Sequence, residues 1–160
     1  MGYRANFVPV IALNRKCLYA LRALYVLARE YRNGPLVVPQ ISSETNAPPE
    51  FLQGILLELK RAGIVESHRG SRGGYRLLKP PHQITVGSVI RILDGPLTVA
   101  CGGDPGSDFC EGCNEGDACR TRLVMCDIQR AVAAVLDGTT IESGGRAAVL
   151  PGCAALPAVH

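Results

Sequence analysis

The first sustained pattern of apolar and polar positions runs from Asn14 to Tyr31, NRKCLYALRALYVLAREY. It contains no Gly or Pro and opens on an Asn N-cap, which predicts a helix of about four to five turns ending at Asn33-Gly34-Pro35. Leu21, Leu24 and Leu27 form one apolar side, with Tyr19, Ala23 and Val26 beside it. A helix apolar over that much of its girth is expected to be buried on two sides, against its own domain and against a second subunit. Pro39 to Thr45 then predicts a short helix, Asn46-Ala47-Pro48 a break, and Pro49 to Ala62 a longer helix. Phe51, Leu52, Ile55, Leu56 and Leu59 form its inward stripe, and Phe51 is assigned to the core rather than to a contact. Proline at the entry and Gly63 past the exit complete a helix-turn-helix pattern.

The next stretch, IVESHRGSRGGYRLLK, predicts two short strands, Ile64 to His68 and Tyr75 to Leu78, around a Gly-rich loop with Arg69 and Arg72. Helix, turn, helix and basic hairpin in that order describe a winged helix. Gly70, Gly73 and Gly74 let the hairpin backbone approach a nucleic-acid groove closely, and Arg69 and Arg72 reach phosphates or a narrow minor groove. Thr85 to Leu93 predicts another short helix, stopped at Asp94-Gly95-Pro96. From there to Gly116 the chain is rich in Gly, Asp and Cys without periodicity and is read as a loop. A last helix is predicted from Asp117 to Asp137, with Leu123, Ile128, Val132 and Val135 as an apolar stripe. Pairing with the same helix of a second copy covers that stripe, which points to a two-fold homodimer.

The expected fold class is therefore mainly α: a winged helix-turn-helix with a small β-hairpin wing and a long C-terminal dimerisation helix. The expected divisions are an N-terminal extension (1–12), a DNA-binding domain (13–95), a cysteine-rich loop (96–118), a dimerisation helix (119–140) and a disordered tail (141–160).

Charge sharpens this division. Residues 1–95 carry 13 Lys/Arg against 6 Asp/Glu, a net +7, whereas residues 96–160 carry 4 against 8, a net −4. Only the first part is suited to meet a polyanion such as double-stranded DNA. Aromatic residues make up 5% of the chain and Trp is absent, a balance that favours helices packed on helices. No apolar run reaches the roughly 18 residues of a membrane span. Phe7 to Leu13 is too short, contains Pro9 and lacks a small-residue cleavage site. A cytoplasmic protein without a membrane partner is expected, and in a reducing compartment its seven cysteines read as ligands or redox thiols.

Four cysteines fall within nineteen positions as Cys101-x8-Cys110-x2-Cys113-x5-Cys119, on a Gly-rich backbone able to fold around an object. Their neighbours are Asp, Glu and Gly rather than core residues, so burial as small hydrophobes does not explain them. Thiolates at this spacing bind an iron–sulfur cluster or tetrahedral zinc. Asp104, Asp108, Glu111, Glu115 and Asp117 surround them with no Lys or Arg between Gly95 and Cys119. That field raises thiol pKa and must be offset by the metal, so the centre is expected to be exposed, loosely held and easily lost. Cys126, two helical turns after Cys119, is read as core or dimer packing, and Cys17 as a buried small residue. His68, His82 and His160 have no partner spacing and are not assigned as ligands.

Four segments carry a family resemblance: NRKCLYALRAL, PPEFLQGILLELKRAGIVES, RGSRGGYRLLKPP and ITVGSVIRILDGPL. Over roughly residues 13–97 the chain resembles the bacterial winged-helix regulators of the IscR, NsrR, RirA and BadM type. The resemblance implies a homodimer that sets two recognition helices into successive major grooves and two wings into the flanking minor grooves. Carried over by position, Glu50, Phe51 and Gln53 lie near the helix start and Arg69 on the wing, followed by the Gly70, Gly73, Gly74 and Tyr75 of the RGSRGGY motif. Gln53 is polar beside the apolar stripe and free to read a base edge. Gly54 departs from the pattern, since many members have Gln there, and operator preference is expected to differ.

The resemblance also tilts the cysteine loop toward an iron–sulfur cluster, [2Fe-2S] or [4Fe-4S]. Regulators of this type often use three loop cysteines, and Cys113-x5-Cys119 matches the second half of their spacing while Cys101 and Cys110 depart from the first. Where relatives supply a His ligand this chain has Arg122, and where others supply an acid it has Leu18. Arginine stays protonated and leucine has no donor atom, so the simplest ligand set is Cys101, Cys110, Cys113 and Cys119.

The expected function is a DNA-binding repressor, not an enzyme, that senses iron, redox or nitric oxide state through this cluster. The alternative is the same DNA binder with structural zinc or a switch between Cys110 and Cys113. A thiol oxidoreductase using Cys110-Glu-Gly-Cys113 is disfavoured because the βαβ context is missing and the acids oppose a low thiol pKa.

Overall fold

The computed structural model describes residues 13–70, 73–96 and 120–144. The elements run α1 (Arg15–Arg29), α2 (Val38–Thr45), α3 (Pro49–Arg61), β1 (Val65–His68), β2 (Gly74–Leu77), a 3-10 turn (Pro81–Gln83), α4 (Val86–Asp94) and α5 (Arg120–Gly138). Mostly helical, with one two-stranded antiparallel hairpin, this is the expected winged helix.

The Asn14 side chain caps α1 by accepting the Cys17 N–H at 2.8 Å, and it also donates to Asp94 at the end of α4. Cys17, Ala20, Leu21, Ala23, Leu24, Val26 and Leu27 are all buried. The expected burial of this wide apolar girth against its own domain is seen, and its own chain suffices to cover it. α1 lies at the centre of the domain and packs on α2, α3, α4 and β2 of its own chain. Ile41, Leu52, Ile55, Leu56, Leu59, Val65, Leu77, Val89 and Ile90 complete one continuous core around it.

Between α2 and α3 the chain turns at Asn46, whose φ of 54° is left-handed and suits asparagine. The hairpin pairs Val65 with Leu77, Glu66 with Arg76, Ser67 with Tyr75 and His68 with Gly74. Leu36 extends it as a third partner. Its N–H donates to the Tyr75 carbonyl at 2.9 Å, and the Tyr75 N–H donates back at 2.8 Å.

After α5 the chain returns to the domain, which corrects the start of the expected disordered tail. The Val86 N–H donates to the Thr139 carbonyl and the Ile141 N–H to the Ile84 carbonyl, both at 2.8 Å. Ile141 is fully buried, and residues 141–144 form a turn. An isoleucine is costly to leave in water, and the slot beside Ile84 and Val86 removes it. The remainder of the expected tail, 145–160, lies outside the described residues, as does the N-terminal extension, 1–12. Arg91 clasps Asp137 at 2.5 Å, and Gly87 makes room for that carboxylate, so the α5 C-terminal end is fixed to α4.

Candidate nucleic-acid interface and cysteine loop

Along α3 the buried residues Leu52, Ile55, Leu56 and Leu59 hold one face against α1 and α2, leaving Glu50, Gln53, Gly54, Leu57, Lys60 and Arg61 exposed. Glu50 lies in the first turn, where its charge complements the helix dipole, and Lys60 and Arg61 lie in the last. Phe51 corrects the sequence expectation: it is 43% exposed. Its ring meets Tyr19 edge-on at 6.0 Å, and the Arg22 guanidinium sits 5.9 Å over Tyr19. Arg22 also donates to the Thr45 carbonyl at 3.4 Å. This stack and the Lys16–Glu58 ion pair at 2.7 Å set the position of α3 against α1.

α3 passes directly into the wing. The Gly63 N–H donates to Lys60 and the Ile64 N–H to Leu59, a double C-cap closed by the left-handed Gly63 at φ 69°. Lys60 Nζ then donates to Ser67 Oγ of β1 at 2.6 Å. Helix and wing are thus joined end to end and by a side-chain strut.

In the wing, Glu66 pairs with Arg76 across the strands at 2.5 Å and with His68 at 3.4 Å. The Arg76 hydrogen bond, followed by that of His68, lowers the Glu66 pKa below the usual carboxylate value. Arg76 is therefore engaged within the hairpin, whereas Arg69 is exposed and forms no ion pair with the described residues. Arg72, the other expected contact at the tip, lies outside them. Two of the glycines read for groove approach have an internal reason to be glycine. A Cβ on Gly73 would lie 2.5 Å from the His68 carbonyl oxygen, and one on Gly74 2.4 Å from that of Leu36. Gly70, with φ 106° and open space around it, accepts the Gly73 N–H at 2.9 Å and closes the turn. Tyr75 is half-buried with both backbone groups tied to Leu36.

The structure therefore brings Glu50 and Gln53 onto one exposed helix face and places Arg69, Gly70 and Gly73 at the hairpin tip. Leu57 was not singled out in the sequence, although an apolar residue in the polar phase of α3 was the available signal.

Cys101, Cys110, Cys113 and Cys119 all lie outside the described residues. The flanking anchors do not: α4 ends at Asp94, and α5 starts at Arg120, immediately after Cys119. Among the described residues, no group of three or more His, Cys, Asp or Glu could hold a metal. Cys17 is fully buried, and burial followed by the Asp94 charge pushes its thiol up to about 11, leaving it protonated and unsuited to ligation. Cys126 is half-buried on α5 beside a shallow recess with Gln129, Arg130 and Ala133.

A buried helix-turn-helix carrying an exposed second helix and a supported wing defines a winged-helix DNA-binding regulator. The sequence matches the Rrf2 family, described as "Iron-dependent Transcriptional regulator", over residues 13–143, and the chain belongs to that family. It is 35% identical over 134 residues to an rrf2-like helix-turn-helix regulator of Rhodobacter capsulatus, covering 81% of this chain and 89% of that one. It is 32% identical over 130 residues to the regulator IscR of Aliivibrio salmonicida, covering 81% and 74%. The solved structure of CymR, the global cysteine regulator of Bacillus subtilis, superposes with a TM-score of 0.69 at 32% identity, over 82% of this chain and 94% of that one. These relatives are transcriptional regulators rather than enzymes. Among the described residues, no helix is long and apolar enough to cross a membrane.

Proposed function

We propose that the chain is a homodimeric repressor that reads its operator with Glu50 and Gln53 in the major groove. Arg69, Arg72, Gly70, Gly73, Gly74 and Tyr75 of the wing lie along the flanking minor groove. The observation that carries this reading is the rigid union of α3 and wing through Gly63 and the Lys60–Ser67 strut, with α3 polar outward and Arg69 unengaged by the described residues. Glu66 and Arg76 stiffen the hairpin, and Gly74 seats it on Leu36. Dimerisation is supported by the apolar positions that α5 leaves exposed: Leu123, Val124 and Val135, at 57%, 56% and 59%. Ile128 and Val132 of the expected stripe are half-buried within the chain.

Cys101, Cys110, Cys113 and Cys119 supply four thiolates, a complete donor set for an iron–sulfur cluster. When bound, the cluster supplies a centre sensitive to iron supply, oxidation and nitric oxide. The chain's own part would be to hold it with these four thiolates and to keep Cys17, buried and protonated, out of the chemistry. The family description and the likeness to IscR favour this reading. The likeness to Staphylococcus aureus CymR, whose structure was also solved in an oxidized form (26% identity, TM-score 0.67), favours a second, in which the loop switches between thiols and a Cys110–Cys113 disulfide or holds zinc.

Anaerobic purification followed by iron, sulfide and zinc analysis separates the two. Coloured protein containing iron and sulfide is expected, and colourless protein with one zinc per chain overturns the cluster. In salt-dependent gel shifts, Arg69→Ala should weaken binding to all duplexes and reduce the slope of log affinity against log salt by about 0.9. An unchanged slope removes Arg69 from the interface.

A further inference from the structure

Nearly every glycine in the described residues has a conformational or steric reason to be glycine. Gly34, Gly63, Gly70, Gly74 and Gly95 have positive φ, whereas Gly73, Gly87 and Gly144 sit where a Cβ would collide with a neighbour. Gly138 has neither reason but closes a helix. Gly54 stands in the interior of α3, with ordinary helical backbone and no atom within 4 Å of the place a Cβ would occupy. Glycine is the least favourable helix residue after proline, so the fold loses stability there and gains nothing in packing. Leu57 lies one turn further along the same exposed face and is 43% exposed, an apolar side chain among Glu50, Gln53 and Arg61.

On this exposed face Gly54 offers bare backbone in open space, and Leu57, one turn on, offers an apolar side chain. The interior helical N–H groups are already used by the helix, and leucine donates nothing, so a phosphate or a polar base edge finds no partner there. Among the groups that base pairs present in the major groove, the thymine 5-methyl is the apolar one. We propose that Gly54 and Leu57 receive a thymine 5-methyl group and thereby specify a T·A pair in each half-site. This deepens the reading of α3 as the DNA-contacting helix and rests on it.

The test uses the full chain and a pool of duplexes randomised across both half-sites. Once a preferred operator is enriched, each thymine is replaced in turn by deoxyuridine, which removes only the methyl group. One thymine per half-site should weaken parental binding by about threefold to tenfold when replaced. Leu57→Ala should be insensitive to the same replacement. Gly54→Ala should melt a few degrees higher than the parent, as expected for a better helix former, yet bind the parental operator about tenfold more weakly. If every thymine tolerates uracil, or if Gly54→Ala binds as tightly as the parent, the methyl contact is overturned while DNA recognition stands. If the parental chain enriches no sequence, the assignment of α3 itself fails and the contact falls with it.

Discussion

Replacing Gly74 with alanine would set a methyl group 2.4 Å from the Leu36 carbonyl oxygen on a backbone with φ 148°. The wing must then separate from Leu36, and a loss of about 1–3 kcal/mol is expected, read as a lower urea midpoint. Gly70→Ala adds the positive-φ strain without the collision and should cost less. Cys17 gives a second test at this scale. With its pKa at about 11, roughly one thiol in a thousand is ionised at pH 8, and the side chain is fully buried. Iodoacetamide should leave Cys17 unmodified in the native protein and label it in denaturant, as peptide mass analysis would show. Labelling in the native state would mean that α1 opens. At this scale the sequence was legible where chemistry is local: Asn14 is a cap because its side chain and the Cys17 N–H lie within one turn. Phe51 was misread because helical period fixes which side a residue faces but not how far that side sinks. The Tyr19 ring, supplied by another helix, meets Phe51 before the core does.

The wing shows how an element gains stiffness from charge. Glu66 has a lowered folded pKa because it accepts from Arg76 and then from His68. A depressed carboxylate stabilises the fold above its ordinary value of 4.5, and that contribution is lost as pH falls through the lower folded value. Glu66→Gln should therefore melt below the parent at neutral pH, and the two melting curves should converge in acid. A gap that persists in acid would mean that packing rather than charge is responsible. The helix-turn-helix and hairpin were readable because Pro, Gly and apolar period mark their ends within a few residues. The return segment at Thr139–Ile141 was not. A single isoleucine between Thr, Glu, Ser and Gly has no period, and its partner Ile84 lies far away in sequence.

For the whole molecule, that isoleucine ties the last helix to the domain. Ile141→Ala should cost about 2–5 kcal/mol in chemical unfolding, the range for emptying a buried isoleucine site. A change under 1 kcal/mol would place Ile141 outside the core. The division of charge between the first 95 residues and the rest was visible in the sequence, and so was the grouping of cysteines. The joint between them was not, because it consists of two backbone hydrogen bonds, one buried side chain and the Arg91–Asp137 clasp.

That joint makes α5 a lever. Its fulcrum is the C-terminal end, pinned at Asp137 and Thr139, and its arm runs about 28 Å to Arg120, the residue that follows the last loop cysteine in sequence. A tilt of about 10° at the fulcrum carries the far end roughly 5 Å, close to one helical turn. In a dimer joined along two such arms, the distance between the two wings would be governed by the angle at Thr139, far from either recognition helix.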